Sequence, residues 1–305
     1  MKLSTSKLIR GLNKRIHILA WLALIALFIG QLGSVYWIFE LFSHFTPFYV
    51  LLFFLVCFCC PSKKQRLVFA IVAVAGCYWC STPWFITHSA DTTQAKPVRF
   101  LSYNVLNINA HIDTESKWLL RNNSDVIFLT ETSLAWGSAL QPLAATTQHC
   151  AEYNDSPFGM ALYSHLPLKS CEVRYTTDND IYPYIRAQLQ NGLVVYGIHP
   201  PPPITATLVE ERNNQLQALA TMIKQEKNNV IVLGDMNISA FSPVFRDFIQ
   251  AADVHLTSPR ARPTWLPALL SIDHALVRQP DKIVATGSYS WHGSDHKAIW
   301  ISYVP

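Results

Sequence analysis

Eight polar residues carry the chemistry in this sequence: Asn104, Glu131, His199, Asp235, Asn237, Asp273, Asp295 and His296. Most of them close a short apolar stretch, as in SYNV (102–105), DVIFLTE (125–131), GIH (197–199) and VIVLGDMN (230–237). Carboxylate and amide oxygens are the donors that a hard cation such as Mg²⁺ prefers, and Mg²⁺ keeps several of its own waters. Hydrolysis of a phosphoric ester needs such a charge, a base for the attacking water and help for the leaving oxygen. Two histidines and four acids can supply these parts.

Each residue also has a plain structural role open to it. Asn104 suits a turn, Glu131 a helix cap, and His199 the start of the rigid stretch Pro200 to Pro203. Asp235 and Asn237 suit an Asx-turn. Asp273 is harder to place this way, because a carboxylate inside the apolar run IDHALV (272–277) needs a partner. His296 is the partner expected for it. The order and spacing of the whole set carry more weight than any one member.

The elements that must position these residues alternate in type. VRFLSYNV (98–105), DVIFLTE (125–131), 148–153, FGMALYSHLPL (158–168), SCEVRY (170–175), NVIVLGD (229–235), IDHALV (272–277) and HKAIWISYV (296–304) read as strands. Asn191-Gly192 inside 186–199 marks a hairpin. Asp113 can cap a helix to about 121, and Thr207 with Glu210 forms a capping box for a helix to about 226. Strands mixed with a few helices predict an α/β sandwich with largely antiparallel sheets, not a Rossmann fold.

Before residue 91 the chain changes character. Half of its 305 residues are hydrophobic and only 14% charged, and three apolar runs concentrate the excess: about 17–39, 46–60 and 67–86. A bilayer core takes about 20 helical residues, so residues 1–90 read as an anchor of three membrane helices, 91–97 as a linker and 98–305 as the catalytic domain. The first run is longer than a signal-peptide core and ends in no small-x-small cleavage site. Five Lys/Arg precede it and three lie in 61–66, while 40–45 holds none. The bias of basic residues toward the cytoplasm then sends the third helix outward. If the short second run does not span, the domain faces the other way. The balance of the domain is acidic, with 16 Lys/Arg against 19 Asp/Glu in 91–305. A partner gripped mainly through phosphates would call for a basic surface.

Taken together, SYNV, DVIFLTE, GMALYSHLPL (159–168), IHP (198–200), GDMN (234–237), IDHALV and SDH (294–296) resemble, in order, the endonuclease/exonuclease/phosphatase superfamily of deoxyribonuclease-type metal phosphoesterases. The N-terminal membrane segment and the HPPPP loop are similar to its bacterial membrane-anchored branch. The resemblance implies a four-layered α/β sandwich of two packed sheets with Mg²⁺, or Mn²⁺ in its place, at one sheet edge. It implies Glu131 as the main metal ligand with Asn104 in support. Asp235 and Asn237 position the water, the metal and the phosphate, and Asp295 holds the metal or a neighbouring water. His296, oriented by Asp273, is the base or the electrostatic partner of the phosphate, and His199 assists the leaving oxygen. Leu106 departs from the acid that repair-type members carry two residues after the asparagine, which argues against an abasic-site endonuclease. Lys297-Ala298 departs from the usual ending after SDH.

The substrate stays open between classes. A nuclease-like phosphodiesterase comes first, with Trp265 stacking on a base and Asn104 and Arg262 contacting the substrate. A phospholipid or sphingolipid phosphodiesterase is the alternative, although no apolar insertion loop stands out in the sequence. A catalytically inactive membrane-tethered binding protein is the reading of another class. The implied partners are a phosphodiester substrate and the lipid bilayer, with no obligate protein partner. The implied location is a bacterial inner membrane, crossed several times, with a periplasmic or extracellular domain.

Cys150 and Cys171 are the only cysteines of the domain. An oxidising compartment favours their pairing. A meander of 148–153, 159–164 and 170–175 opposes it, because two strand spacings make about 9.6 Å against a Cα limit of about 7 Å.

Overall fold

The computed structural model describes residues 5–60, 62–82, 96–177 and 181–305. The chain forms two units. One comprises Met1–Thr82 with Ser239–Arg246 and Pro259–Ala261; the other comprises Pro83–Ile238, Asp247–Ser258 and Arg262–Pro305.

The first unit is helical, with α1 (Thr5–Gly30), α2 (Trp37–Ser43), α3 (Thr46–Cys59) and α4 (Lys63–Ser81). Within α1, Gly11–Gly30 is the one described helical segment long and apolar enough to cross a membrane alone. The pair α2 and α3, bent by 53°, meets that measure only if counted as one span. The first apolar run therefore does not continue as one helix to 39. It breaks at Gly30 and turns through 31–35, and a Cβ on Gly30 would meet the Ser43 backbone at 2.7 Å. Nor is 61–66 simply a loop: Ser62 caps α4 by accepting the Gln65 N–H at 3.5 Å, which places KKQR in its first turn. Residues 83–86, with Trp84 and Phe85, and linker residues 91–95 lie outside the described residues. Phe53, Val56, Phe69 and Ala73 form this unit's core. Its later segments join by polar contacts: Ser242 donates to the buried Glu40 carboxylate at 2.7 Å, and Arg246 donates to Gln31 Oε1 at 2.8 Å.

The second unit is an α/β sandwich of two six-stranded sheets. Its elements are β1 (Val98–Asn104), α5 (Ile112–Arg121), β2 (Val126–Thr130), α6 (Leu134–Ala139), α7 (Gln141–Ala144), β3 (Gln148–Glu152), β4 (Met160–Ser164), β5 (Leu168–Arg174), β6 (Tyr184–Leu189), β7 (Val194–Ile198), α8 (Ala206–Gln225), β8 (Val230–Asp235), α9 (Pro243–Ala252), β9 (His255–Leu256), β10 (Asp273–Val277), β11 (Ile283–Ser288) and β12 (Ile299–Tyr303). One sheet runs β11-β12-β1-β2-β4-β3 and the other β5-β6-β7-β8-β10-β9. Each holds one parallel pair, β1 with β2 and β7 with β8, among antiparallel neighbours.

Alternation along the strands explains the layers. Phe100, Phe128, Leu162, Val195, Ile231, Leu233 and Ile301 face inward between the sheets. The opposite face of the first sheet, with Leu101, Tyr103, Ile127 and Leu129, packs on Leu119, Trp136 and Leu140 of α5, α6 and the residue that follows α6. On the second sheet α8 lies over β6 and β7, where Tyr196 donates to Glu226 and Tyr184 to the Met222 sulfur. Gly197 makes room for the inter-sheet core, since a Cβ there would sit 2.3 Å from the Phe128 ring.

Two expected helix starts move. His111 precedes α5, leaving Asp113 in the first turn, where a carboxylate favours the helix dipole. Thr205, not Thr207, caps α8 by accepting the Leu208 N–H at 3.2 Å; Leu208 occupies the third helical position, so no reciprocal capping box forms.

The meander is also corrected. After β4 the chain crosses at His165–Pro167 to the other sheet, so β3 and β5 are the facing edges of two sheets. Their Cys150 and Cys171 are disulfide-bonded with Cα atoms 5.6 Å apart.

Candidate active site

Strand register brings the polar ends together. Asn104 and Thr130 are level on the parallel pair β1 and β2, which places Glu131 one residue beyond. In the other sheet Asp235 faces Asp273 across β8 and β10, and His199 follows β7 beside them. Gly234 allows this crowding: it has φ +150°, and a Cβ there would lie 1.9 Å from the Ile198 carbonyl oxygen.

Asn104 joins the two sheets. Its Oδ1 accepts the Leu106 N–H at 3.0 Å, which turns Nδ2 toward Glu131 Oε1 at 2.8 Å and Asp235 Oδ2 at 3.1 Å. Glu131 Oε2 accepts the Asn107 N–H at 3.2 Å. Leu106, Glu131 and Asn237 all adopt positive φ, of 62°, 60° and 50°. Such backbone is costly for side-chain-bearing residues and collects at functional sites.

Asp235 is the hub of the floor. Its Oδ1 accepts the Asn237 N–H at 2.9 Å, the Asx-turn that its motif suggested. Its Oδ2 lies 3.7 Å from His199 Nε2 and 3.6 Å from His296 Nε2. Burial raises the Asp235 pKa, against the two imidazoles that lower it. Asp273 accepts from His296 Nδ1 at 2.8 Å, the pairing expected from sequence. Burial alone would lower the His296 pKa, but Asp273 and Asp235 outweigh it and push it up to about 10. The buried His199 ring has an Nδ1 with no hydrogen-bond partner among the described residues.

Other candidates are committed elsewhere. Asn237 Nδ2 donates to the Pro200 carbonyl at 3.0 Å, tying two loops together. Asp295 Oδ2 accepts the Trp265 indole N–H at 2.9 Å, so these two expected site residues hold each other. Arg262 donates to Thr286 Oγ1 at 3.1 Å. Of the groups suited to a hard cation, Glu131 and Asp235 present oxygens converging on one amide. Asp235, Asp273 and His296 also have ligand atoms within 4.8 Å of one another. In that trio Asp273 Oδ2 and His296 Nδ1 hold each other, which leaves His296 Nε2 facing Asp235.

The endonuclease/exonuclease/phosphatase family profile matches residues 101–296, the stretch that contains every one of these groups. The chain belongs to this family. With it, the chain is a hydrolase of phosphoric esters in a family that works with divalent metals. No curated protein matches the chain by sequence. Among solved structures, it is similar to D. rerio TDP2 complexed with a single-strand DNA product, at 18% identity and TM-score 0.57, covering 68% of this chain and 99% of that one. It is similar to the 3′ phosphatase NExo from Neisseria bound to a product DNA hairpin, at 16% identity and TM-score 0.56, with the same coverage. Sphingomyelinase C from Streptomyces griseocarneus is also similar, at 14% identity and TM-score 0.52, again over 68% and 99%. At these identities the likeness is one of fold.

Sequence reasoning assigned no role to two supports. Ser294 donates to the Asn104 carbonyl at 2.8 Å and accepts the His296 N–H at 3.0 Å. Thr264 Oγ1 accepts the backbone N–H groups of Ile272 and Asp273 at 3.2 and 3.1 Å. A hydroxyl two residues before a histidine is a visible turn signal; Thr264, nine residues from Asp273, gives none.

Proposed function

We propose that this protein is a membrane-anchored phosphodiesterase that binds Mg²⁺, or Mn²⁺ in its place, through Glu131 and Asp235. The observation that carries the proposal is one amide, Asn104 Nδ2, within 3.1 Å of carboxylates from both sheets, beside two buried imidazoles. A cation bound there supplies charge for the phosphoryl oxygens and a more acidic water. Asn104 then acts as the support that fixes both carboxylates rather than as a ligand of its own. Asp273 holds His296 Nδ1, so that Nε2 points to Asp235. Of the two roles open to His296, the electrostatic one fits its raised pKa, with the imidazolium facing the phosphate. His199 stands on the other side of Asp235 and is placed to give a proton to the leaving oxygen. Asn237 shapes the floor, and Asp295, held by Trp265, adds negative charge next to His296.

Nucleic acid is the first substrate that the sequence suggests, and the DNA-bound neighbours share this fold. Two of its three named contacts, Trp265 and Arg262, are weakened by their bonds to Asp295 and Thr286. The Cys150–Cys171 bridge supports an oxidising compartment. The proposed location is therefore a bacterial inner membrane with the domain periplasmic or extracellular, anchored by the Gly11–Gly30 segment and the further helices. The test is hydrolysis of bis(p-nitrophenyl) phosphate by the full-length protein in detergent. EDTA should abolish turnover and Mg²⁺ or Mn²⁺ should restore it. Turnover that survives EDTA would refute the metal assignment.

A further inference from the structure

Large aliphatic side chains are rarely left in water in a group. Among the described residues of the sandwich unit, seven are exposed: Leu120, and six that stand at one end. Those six are Ile108, Leu134, Ile181, Ile204, Leu266 and Leu269. Register fixes that end as the catalytic one. Ile108, Leu134 and Ile204 follow the ends of β1, β2 and β7 that carry Asn104, Glu131 and His199. Ile181 precedes Tyr184, which is level with Ile198. Leu266 and Leu269 precede Asp273, which is level with Asp235. Scattered exposure would need no explanation; six of seven at the catalytic end does.

Four of the six, Ile108, Leu134, Ile204 and Leu266, stand on loops that are pinned, so their exposure is built in. Asn107 donates to Glu131 and Asn109 Nδ2 donates to the Val105 carbonyl at 2.8 Å, and between them Ile108 stands 81% exposed. The Leu134 N–H is held by Asp155 Oδ1. Ile204, 72% exposed, follows the prolines whose first carbonyl accepts from Asn237. The Leu266 N–H donates to the Asp295 carbonyl at 2.8 Å. Each of these loops therefore joins an aliphatic side chain to a polar group at or beside the site.

We propose that the substrate of this site is an amphiphile: a phosphodiester borne on aliphatic chains, whose phosphoryl group meets the polar floor while the chains lie along the aliphatic rim. The inference rests on the phosphodiesterase reading and adds the substrate class to it. A long polyanion would instead call for a basic surface, and residues 91–305 carry three more acids than bases. The proposed anchor, the Gly11–Gly30 segment, is long and apolar enough to hold the chain where such amphiphiles are found. In the reaction, water oxygen bonds to phosphorus, one ester P–O bond breaks, and the leaving alkoxide takes up a proton. The products are an alcohol and a phosphomonoester.

The test uses the full-length protein in detergent with Mg²⁺ on matched pairs of phosphodiesters. Each pair is a diacyl glycerophosphodiester and its deacylated form, with choline, ethanolamine or glycerol as the head group. Bis(p-nitrophenyl) phosphate and plasmid DNA run alongside. For at least one head group the diacyl form should be hydrolysed at least about tenfold faster than the deacylated form, and faster than plasmid. The variant Ile108→Ser/Ile204→Ser/Leu266→Ser should bring that ratio toward one. A ratio near one in the wild type, an unchanged ratio in the variant, or a preference for plasmid overturns the inference while leaving the phosphodiesterase reading standing. No metal-dependent turnover of bis(p-nitrophenyl) phosphate overturns both.

Discussion

Asp235 and His296 illustrate how buried charge is made usable. A carboxylate and an imidazole buried alone would both move toward neutrality; here Asp273 pairs with His296 at 2.8 Å and keeps the ring charged. Asp273→Asn retains the shape and removes that charge. Its kcat on bis(p-nitrophenyl) phosphate should fall about 10²-fold or more, with KM and the thermal midpoint little changed; a kcat within threefold of the wild type would remove Asp273 from the site. The acid–histidine pair was legible because an acid in an apolar strand demands a partner. The bonds of Trp265 to Asp295 and of Arg262 to Thr286 were not, since residues 30 and 24 apart leave no local signal for which side chain meets which. The sequence leaves Trp265 between stacking on a base and packing under a loop, and in the structure its indole N–H is anchored on Asp295.

Two elements couple stability to solution conditions. His274, on β10, has its ring Nε2 2.8 Å from the Ile238 carbonyl, and burial pulls its pKa down from 6.5 to about 4, against that bond and the Asp235 charge. The folded state thus prefers neutral His274, and its contribution is complete above the unfolded pKa near 6.5 and lost as the pH falls toward 4. The thermal midpoint should drop between pH 7 and pH 5, and drop less in His274→Asn; equal drops would contradict this. The Cys150–Cys171 bridge closes a separation of 21 residues between two sheet edges. Losing it should cost about 3 kcal/mol by loop entropy, so reductant should lower the wild-type midpoint to that of Cys150→Ser/Cys171→Ser. Identical midpoints with and without the bridge would remove the staple. Strand positions were mostly legible from apolar runs, whereas the sheet each strand joins was not. FGMALYSHLPL reads as continuous, yet the chain leaves the first sheet after Ser164 and enters the second at Leu168.

For the whole molecule, the proposed membrane anchor carries a prediction about which side of a bilayer the sandwich faces. The family's order of motifs made the fold readable, whereas the passage of Ser239–Arg246 and Pro259–Ala261 into the helical unit left no signal in composition. The helix breaks at Gly30 and before Trp37 were harder to read, because they depend on close backbone approach rather than hydropathy. In intact cells, a chain whose other five cysteines are alanine should label with an impermeant thiol reagent only after reduction. Labelling that appears only after lysis would place the domain in the cytoplasm and contradict the three-span topology. Beneath substrate class and topology lies the claim that Glu131 and His296 form one metal-dependent phosphoesterase centre. Turnover of bis(p-nitrophenyl) phosphate by full-length Glu131→Gln and His296→Ala, each folded and at saturating Mg²⁺, tests it most directly. Both should fall at least about 10²-fold, and near wild-type turnover by either would contradict the assignment.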